Sequence, residues 1–495
     1  MAFFVQDDWK VSPNLTLNLG LRWEDFVPPT ETKGNISNVV LGSGPNVLTG
    51  LSIKKGGSLY RNTYKNFEPQ IGFAWSPTTA AFGHKFVVRG GFGIGYNLEQ
   101  FAITSNGRFN PPFETNLTLY DGDILYAPGS NEHDISSFPS NPAAVQSFGS
   151  NGLPTTGTSL NLTGFPQNFP PAVTYRYSLE TQVDLGHNWM ASIGYSGSQS
   201  RHLTRNNQNL NWIYYPAINP VVNQVQFYTN DANSHYNALL TEVQHRFSSM
   251  FEIDVQYRFS KSIDDATRDY TTDLYPWNRI FSYGPSGFDT THSYKIWGLF
   301  TPKFTKTGHA FIDKVFGGWT ISGIINGHSG FPWSPQSCPG GTIEYPNSGI
   351  GCLFPLSYAG GATDFSDNNT FERPFGNFPK NAAGPEVYFT VPTAAQLAAG
   401  IPPAPTKIHR NMFRGPRYFG NDVQLAKAFG LPKLPILGED AKLDLQANFY
   451  NLINKENLQN FGGSDALVTI GGPQFGVAQA GLAGRIIELQ ARFSF

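Results

Sequence analysis

The feature that most constrains this chain is a two-residue repeat in which apolar side chains alternate with polar ones. From Leu15 to Trp23 the odd positions are all Leu or Trp, while the even positions are Thr, Asn, Gly and Arg. Successive side chains of a β-strand point to opposite faces, so this pattern predicts strands with one apolar and one polar face. The alternation recurs in 173–185 and 251–259. These runs last about 9 to 13 residues, close to the length that a tilted strand needs to cross a bilayer.

Similar segments recur along the chain and bring the predicted number to about thirteen strands. The others lie at roughly 3–11, 67–76, 86–96, 189–199, 236–247, 292–300, 318–327, 419–429, 442–452 and 485–495. Short or moderate connections at 12–14, 77–85, 186–188, 248–250, 301–317 and 430–441 alternate with long polar ones at 25–66, 97–172, 200–235, 262–291, 328–418 and 453–484. Short periplasmic turns and long extracellular loops are typical of outer-membrane barrels. The sequence therefore predicts an all-β fold, an antiparallel transmembrane β-barrel of the outer-membrane type.

Composition agrees with a barrel and excludes other classes. Charged residues make up 14% of the chain, below the roughly 25% of a soluble domain. No run of about 18 apolar residues is present, which excludes a helical membrane span. The net charge of -2 provides no electrostatic footprint for nucleic acid, so no nucleic-acid partner is expected.

The two ends of the sequence carry opposite signals. Met1 is followed by the acidic pair Asp7 and Asp8 without a basic region, an apolar region or a cleavage site, so no signal peptide is visible. An outer-membrane protein needs one, so either the predicted outer-membrane localisation is wrong or the N-terminal part of the gene product is missing. At the other end, an amphipathic strand finishes on the aromatic residues Phe493 and Phe495. This ending resembles the C-terminal signal that the barrel-assembly machinery reads.

Cys338 and Cys352 are the only cysteines and lie in a Pro/Gly-rich stretch. A pair this close in sequence suits a loop disulfide in an oxidising compartment. The alternative is two unrelated free thiols in an irregular segment. No Cys or His partner lies at the spacing of a zinc site.

Several segments together resemble TonB-dependent receptors, especially the large Oar-like group. Residues 4–11 (FVQDDWKV), followed by 15–24 (LTLNLGLRWE), look like the mid-barrel hairpin of that family. Further segments are similar in the same order: 236–239 (YNAL), 260–265 (SKSIDD), 317–319 (GGW), 329–332 (SGFP) and 448–454 (NFYNLIN). The resemblance thus covers essentially the whole chain.

This resemblance implies a barrel of about 22 strands, an N-terminal plug inside it and a TonB-contacting box, powered by the inner-membrane proton gradient. About thirteen strands would leave about nine missing, so residues 1–495 are expected to be the C-terminal portion of the barrel, without plug or signal peptide. The implied function is a receptor that binds a substrate through its extracellular loops for TonB-energised uptake. The implied partners are outer-membrane lipid, the TonB system through the missing part, the barrel-assembly machinery and an unknown extracellular ligand.

A search for catalytic residues gives no constellation, so we expect neither an enzyme nor a cofactor. Gly91, Gly93 and Gly95 lack the spacing of a dinucleotide fingerprint and are expected to keep a lumen-facing stripe free of side chains. Four acidic residues in one loop either bind calcium or are simply solvated: Asp264, Asp265, Asp269 and Asp273. Five aromatic residues of the same region either stack on a sugar or peptide ligand or pack within the loop: Tyr270, Tyr275, Trp277, Phe281 and Tyr283.

Two other classes remain open from the sequence. A passive porin would share the alternation and the loops, but would form a shorter, complete barrel. A secreted β-rich carbohydrate-binding or hydrolytic protein would share the aromatic residues. That protein would need two sheets packed through their apolar faces and, for hydrolysis, a convergent pair of carboxylates.

Overall fold

The fold is described from a computed structural model of the chain. The structure describes residues 1–43, 47–78, 80, 83–99, 101–112, 147–155, 160–207, 210, 221–246, 250–267, 274–275, 277–303, 309–338, 352–360, 363, 388–393, 395–396, 401–430, 441–463, 465–472, 474–476, 478 and 480–494. Among these residues no helix is both long enough and apolar enough to cross a membrane.

One large sheet dominates the structure and is called the wall below. Its principal strands follow one another in chain order, and each pairs antiparallel with the next. They are β1 (Ala2–Ser12), β2 (Leu15–Glu24), β3 (Phe67–Trp75), β4 (Phe86–Asn97), β5 (Ala172–Gly186), β6 (Trp189–Asn207), β7 (Val222–His245), β8 (Phe251–Asp264), β9 (His292–Phe300), β10 (Trp319–His328), β11 (Tyr418–Gly430), β12 (Lys442–Tyr450) and β13 (Ile486–Ser494). Two further strands join the wall: Leu160–Gly164 runs parallel to β7, and Gly284–Pro285 pairs with β8. The predicted all-β, antiparallel fold is confirmed.

The register of the wall places all apolar faces on one side. Val255 of β8 pairs with Val243 of β7 and with Ile296 of β9, because side chains directly opposite each other share a face. This side is turned outward: Ile71 is 53% exposed, and Leu489 is 82% exposed. The wall therefore has the alternation of a barrel in lipid, with the apolar face outside.

The short connections gather at one end of the strands, which is called the short-turn end below. Between β5 and β6 the turn uses positive φ at Gly186, His187 and Asn188, a conformation that favours glycine and asparagine. Residues 248–249 of the predicted turn 248–250 lie outside the described residues. The connection between β9 and β10 contains a helix, Ala310–Phe316, called the rim helix below. The two-residue period gave no indication of this helix.

The structure corrects the predicted loop at 200–235. Most of this segment is strand, since β6 continues to Asn207 and β7 begins at Val222. The paired extensions contain polar residues such as Asn230 and Asp231, and the register shifts between Thr229 and Ser234. The apolar residues Val222, Val225 and Tyr228 pack into buried loop clusters, so this extension lacks the regular alternation of a lipid-facing strand.

The long connections fold into two separate loop cores at the other end of the wall. The first loop core consists of two clusters drawn from 36–60, 103–169 and 210–228. The second loop core joins 274–281, 333–413 and 458–478. Short elements support these cores: strands Ser37–Val40, Ser52–Lys55, Pro332–Trp333, Gln336–Ser337, Ser357–Tyr358, Phe389–Thr390, Phe413–Arg414 and Thr469–Ile470, and helices Phe101–Thr104, Ser105–Phe109, Arg279–Ser282, Phe461–Gly463 and Asp465–Val468.

The wall is open in the part of the chain that the structure describes. Strands β1 and β13 form its two edges, and they do not pair with each other. Both edge strands are exposed along nearly their whole length. The backbone groups on these two edges are therefore available for pairing with further strands.

Candidate functional site

The inner face of the wall is lined by polar and small side chains. One row of directly paired residues crosses six strands and consists of Gly20, Gln70, Gly93, Arg176, Ser198 and Tyr236. The neighbouring row is Asn18, Gly72, Gly91, Ser178, Ser196 and Ala238. All of these residues except Ala238 line a groove of about 760 Å³. At Gly93 a Cβ atom would lie 2.0 Å from Gln70 Oε1, so this glycine leaves room for the glutamine beside it.

A second groove of about 600 Å³ lies on the inner face between β8 and β12. Its polar side chains bond to one another across strands: Ser322 Oγ donates to Gln424 Oε1 at 3.2 Å, and Gln424 Nε2 donates to Asn448 Oδ1 at 3.0 Å. The apolar side chains Trp297, Leu299 and Ile324, which the register places on the same face, also line this groove. The hydrogen-bonding groups on this face suit an aqueous lumen or a polar protein surface and are unsuited to lipid.

The second loop core is built mainly from aromatic side chains. Trp333 and Phe413 are almost completely buried, with ring centroids 5.2 Å apart, and the Trp333 ring lies 5.6 Å from Phe461. Tyr358 meets Phe413 edge to face at 5.0 Å. Edge-to-face and tilted contacts of this kind are the favourable geometries for aromatic pairs. The described parts of the connections that follow β8, β10 and β12 thereby pack against one another.

Three of the aromatic residues predicted as ligand contacts or loop packing lie in this core. Tyr275 is buried, and its ring is 5.2 Å from that of Trp277 and 5.1 Å from that of Phe281. Its hydroxyl donates to the carbonyl of Pro402 at 3.0 Å. Tyr283 is different, because 49% of its surface is exposed. Tyr270 lies outside the described residues.

Burial keeps the tyrosines of the loop cores neutral. It raises the pKa of Tyr275, and it is the largest cause that raises the pKa of Tyr358 to about 12, followed by the neighbouring Tyr388. In the first loop core burial, with a smaller contribution from Glu99, raises the pKa of Tyr60 to about 12. A phenol without water favours its uncharged form. These residues therefore act as packing and hydrogen-bonding groups at physiological pH.

Two buried ion pairs fasten the second loop core to the wall. Arg410 pairs with Asp264, the last residue of β8, and both side chains are less than a tenth exposed. Arg414 pairs with Asp289 and also donates to the backbone carbonyl of Asp289 at 2.8 Å. The Asp289 carboxylate in turn accepts the backbone N–H of Ser262 at 2.6 Å. We call these four charged residues the neck pairs.

A second, more exposed ionic group lies beside the neck pairs. Arg279 bridges Asp231 and Asp265 at 2.8 Å each, and Arg205 also bonds Asp231 at 2.8 Å. Asp264 and Asp265, two of the four acidic residues considered for calcium, thus have arginine partners. Asp269 and Asp273 lie outside the described residues. Among the described residues no three His, Cys, Asp or Glu side chains form a group suited to a metal ion.

The remaining predicted site residues lie at separate places. Cys338 and Cys352 form a disulfide with a Cα–Cα distance of 4.3 Å, at the edge of the second loop core. Phe493 lies on the outward face of β13 and is 45% exposed. Phe495 lies outside the described residues.

Neither the neck arginines nor the rim helix was predicted from the sequence. Arg410 and Arg414 lie in a long Pro-rich segment without periodicity, and their acidic partners are more than a hundred residues away. Only the rim helix left a signal in the sequence: Phe311, Ile312, Val315 and Phe316 follow a helical spacing.

Of the comparisons with known proteins, the family match identifies the family of this chain. A search of curated proteins by sequence found no match. Three solved structures are similar to this chain, each at 10% sequence identity and each matched over 99% of this chain. They are the ferripyoverdine receptor of Pseudomonas aeruginosa, the siderophore receptor PiuA from Acinetobacter baumannii and the FrpB iron transporter from Neisseria meningitidis. The match covers 38%, 42% and 44% of their chains, with TM-scores of 0.44, 0.42 and 0.43, respectively. The chain therefore spans less than half the length of these proteins. The model of the outer membrane beta barrel domain matches residues 1–488, and the chain belongs to this family of the outer membrane.

Proposed function

We propose that this chain forms part of the barrel of a TonB-dependent receptor of the Oar-like group, which binds a substrate through extracellular loops and imports it with energy from TonB. The observation that carries the proposal is the combination of a polar inner wall with two folded loop cores above it. A passive pore needs only the polar lumen. Loops with their own packed cores provide a preorganised binding surface at the mouth.

The second loop core offers an exposed surface for such a ligand. Ile280, Tyr283 and Phe288 are between 49% and 68% exposed, although they belong to the same connection as the buried Tyr275. The neck pairs join the two ends of this connection, Asp264 and Asp289, to Arg410 and Arg414 of the connection between β10 and β11. A ligand would therefore meet apolar and aromatic side chains held on a rigid support, which lowers the entropic cost of binding.

The proposal treats residues 1–495 as the C-terminal portion of the receptor barrel. In hydrocarbon each unpaired backbone N–H or C=O group costs several kcal/mol, so the free edges of β1 and β13 would pair with the remaining strands of the receptor. The polar inner wall would face a plug. The plug and TonB contacts belong to the remaining part of the receptor, and the barrel-assembly machinery would recognise the last strand. No catalytic role is assigned to the chain.

The two alternatives from the sequence are distinguished from the receptor by different observations. A secreted β-sandwich requires apolar faces packed against each other, whereas this wall turns its apolar face outward and belongs to an outer-membrane family. The porin alternative is separated from the receptor by energy dependence. A porin passes solutes down their gradient, whereas a TonB-dependent receptor stops importing when the proton gradient collapses.

The test uses the producing bacterium and a strain that lacks the gene. Binding and uptake of a panel of labelled iron chelates, peptides and oligosaccharides are measured with and without a protonophore. We expect one ligand class to lose both binding and uptake on deletion, and to lose only uptake with the protonophore. Uptake that persists at the normal rate after the gradient has collapsed would identify a passive porin and overturn the proposal.

A further inference from the structure

The rim helix exposes large apolar side chains on one side. Phe311 is 80% exposed, Phe316 53%, Val315 41% and Ile312 40%. Residues at positions i, i+1, i+4 and i+5 lie on the same side of an α-helix. A set of exposed aromatic and branched residues this dense marks an interaction surface.

The helix is fixed to the outward side of the wall at the short-turn end. The ammonium group of Lys427 donates to the carbonyl of Val315 at 3.0 Å and also to the carbonyl of Gly317. The indole N–H of Trp319 donates to the same Val315 carbonyl at 2.9 Å. The Lys427 ammonium also lies 4.8 Å from the Trp319 ring centroid and 5.2 Å from that of Phe429. Helix carbonyls and two rings together surround a cation that would otherwise meet hydrocarbon.

The strand register shows that Lys427 and Trp319 lie on the apolar, outward face of the wall. Trp319 is directly opposite Lys427, and two residues further along Ile321 is directly opposite Leu425. Ile321 also pairs with Phe300 of β9, and both are 40% exposed on the outward side. The exposed side chains of the rim helix therefore extend the apolar surface of the wall at its short-turn end.

We propose that the rim helix is an interfacial membrane anchor, which buries Phe311, Phe316 and their apolar neighbours at the boundary between headgroups and acyl chains of the adjacent leaflet. Lipid is the occupant because the surface is continuous with the lipid-facing wall. Helices with an apolar face lie in this region of a bilayer, where aromatic residues are also favoured. The inference holds for a receptor and for a porin alike, and so it is independent of the proposed function.

The test places a fluorescent probe on the helix. The full-length protein, purified from outer membranes, carries Phe311→Cys labelled with an environment-sensitive dye and is reconstituted in vesicles of phosphatidylethanolamine and phosphatidylglycerol. The two native cysteines of this chain are bonded to each other, so without reductant they do not react. The matched control is Ile401→Cys, an apolar residue of the second loop core region that is 63% exposed. Both substitutions are at exposed positions and leave the buried contacts intact.

We expect lipids with a nitroxide near the headgroup to quench the Phe311 probe strongly, and iodide in the buffer to quench it several-fold less than the Ile401 probe. The probe at Ile401 should be quenched strongly by iodide and weakly by the nitroxide lipids. Equal access of iodide to both probes would overturn the proposal. It would also be overturned if the Phe311 probe were protected from iodide but not quenched by nitroxide lipids, since protein would then cover the helix.

Discussion

The wall and the two loop cores carry the same kinds of large apolar side chains but turn them in opposite directions. On the wall Leu489 is 82% exposed and Ile193 is 55% exposed, whereas in the second loop core Trp333 is 1% exposed and Phe413 is fully buried. In water an apolar side chain gains free energy by leaving the surface. The same side chain gains nothing from burial when its surroundings are hydrocarbon.

The comparison shows that one chain is adapted to two solvents. The wall strands obtain stability from interstrand hydrogen bonds and from contact with lipid, and their polar groups point to the inner face. The loop cores follow the rules of small water-soluble domains, with aromatic packing, a disulfide and buried ion pairs. Substitutions should therefore have different consequences in the two regions.

The largest expected effect is loss of packing in the second loop core. Trp333→Ala should destabilise that core by about 3 to 5 kcal/mol, because it removes buried surface and leaves a cavity. Limited proteolysis of the detergent-solubilised protein should then cut 388–413 faster, while heat-modifiable migration of the barrel is retained. The control Trp75→Ala removes an indole that is 41% exposed on the wall and should leave the loops resistant. Equal sensitivity of both variants would contradict the division into two regions.

A comparable effect is expected at the neck pairs. Arg410→Met leaves Asp264 as a buried, unpaired carboxylate and should cost about 3 to 5 kcal/mol. Hydrogen exchange should show faster opening of the second loop core. Arg279→Met provides the control, since the Arg279 side chain is 41% exposed and exposed pairs contribute only about 0 to 1 kcal/mol. If Arg279→Met opened the second loop core as much as Arg410→Met, the contribution of the neck pairs to stability would not depend on their burial.

The next effect concerns the two faces of β8. Val255→Arg places a charge on the lipid-facing side at mid-depth and should cost about 2 to 4 kcal/mol, whereas Gln256→Arg on the inner face should be tolerated. Assembly into the outer membrane is measured by heat-modifiable migration and by the amount of protein in the membrane fraction. If both substitutions were equally tolerated, the outward face of the wall would not be the lipid-facing one.

The smallest effect is alkaline loosening of the loop cores. Tyr358 has a pKa of about 12 in the folded state, above the value of about 10 for a free tyrosine. Its contribution to stability is therefore fully present below pH 10 and is lost as pH rises toward 12. Near-ultraviolet circular dichroism should report this loss, and Tyr358→Phe should make it shallower. A transition of unchanged steepness in Tyr358→Phe would show that this tyrosine does not contribute.

The wall was predictable from sequence because its signal is local. Apolar alternation over 15–23 and 251–259 places β2 and β8 within a few residues of their observed positions, since one face must meet hydrocarbon at every second residue. The rising parts of β6 and β7 escaped the prediction because β7 packs there into the first loop core and does not carry the regular alternation of a lipid-facing strand. The rim helix escaped it because seven residues are too few to establish a period against the strand pattern around them.

The loop cores and the neck pairs were not predictable for a different reason. Trp333 packs against Phe461, and Asp264 pairs with Arg410, contacts that join distant parts of the chain without any repeat between them. The sequence suggested Tyr275, Trp277 and Phe281 as one aromatic group, but could not decide between ligand contact and packing. Only the three-dimensional arrangement shows that these three pack together while Tyr283 is exposed.

The most direct test of this account is a probe scan along β8. Single cysteines at each position from 251 to 259 are labelled with the same dye in the full-length protein, which is reconstituted in vesicles containing nitroxide lipids. The account predicts quenching with a period of two, strong at the odd positions that include Val255 and weak at the even positions that include Gln256. Uniform quenching, uniform protection or a period near 3.6 residues would contradict a wall that spans the outer membrane with its apolar face in lipid.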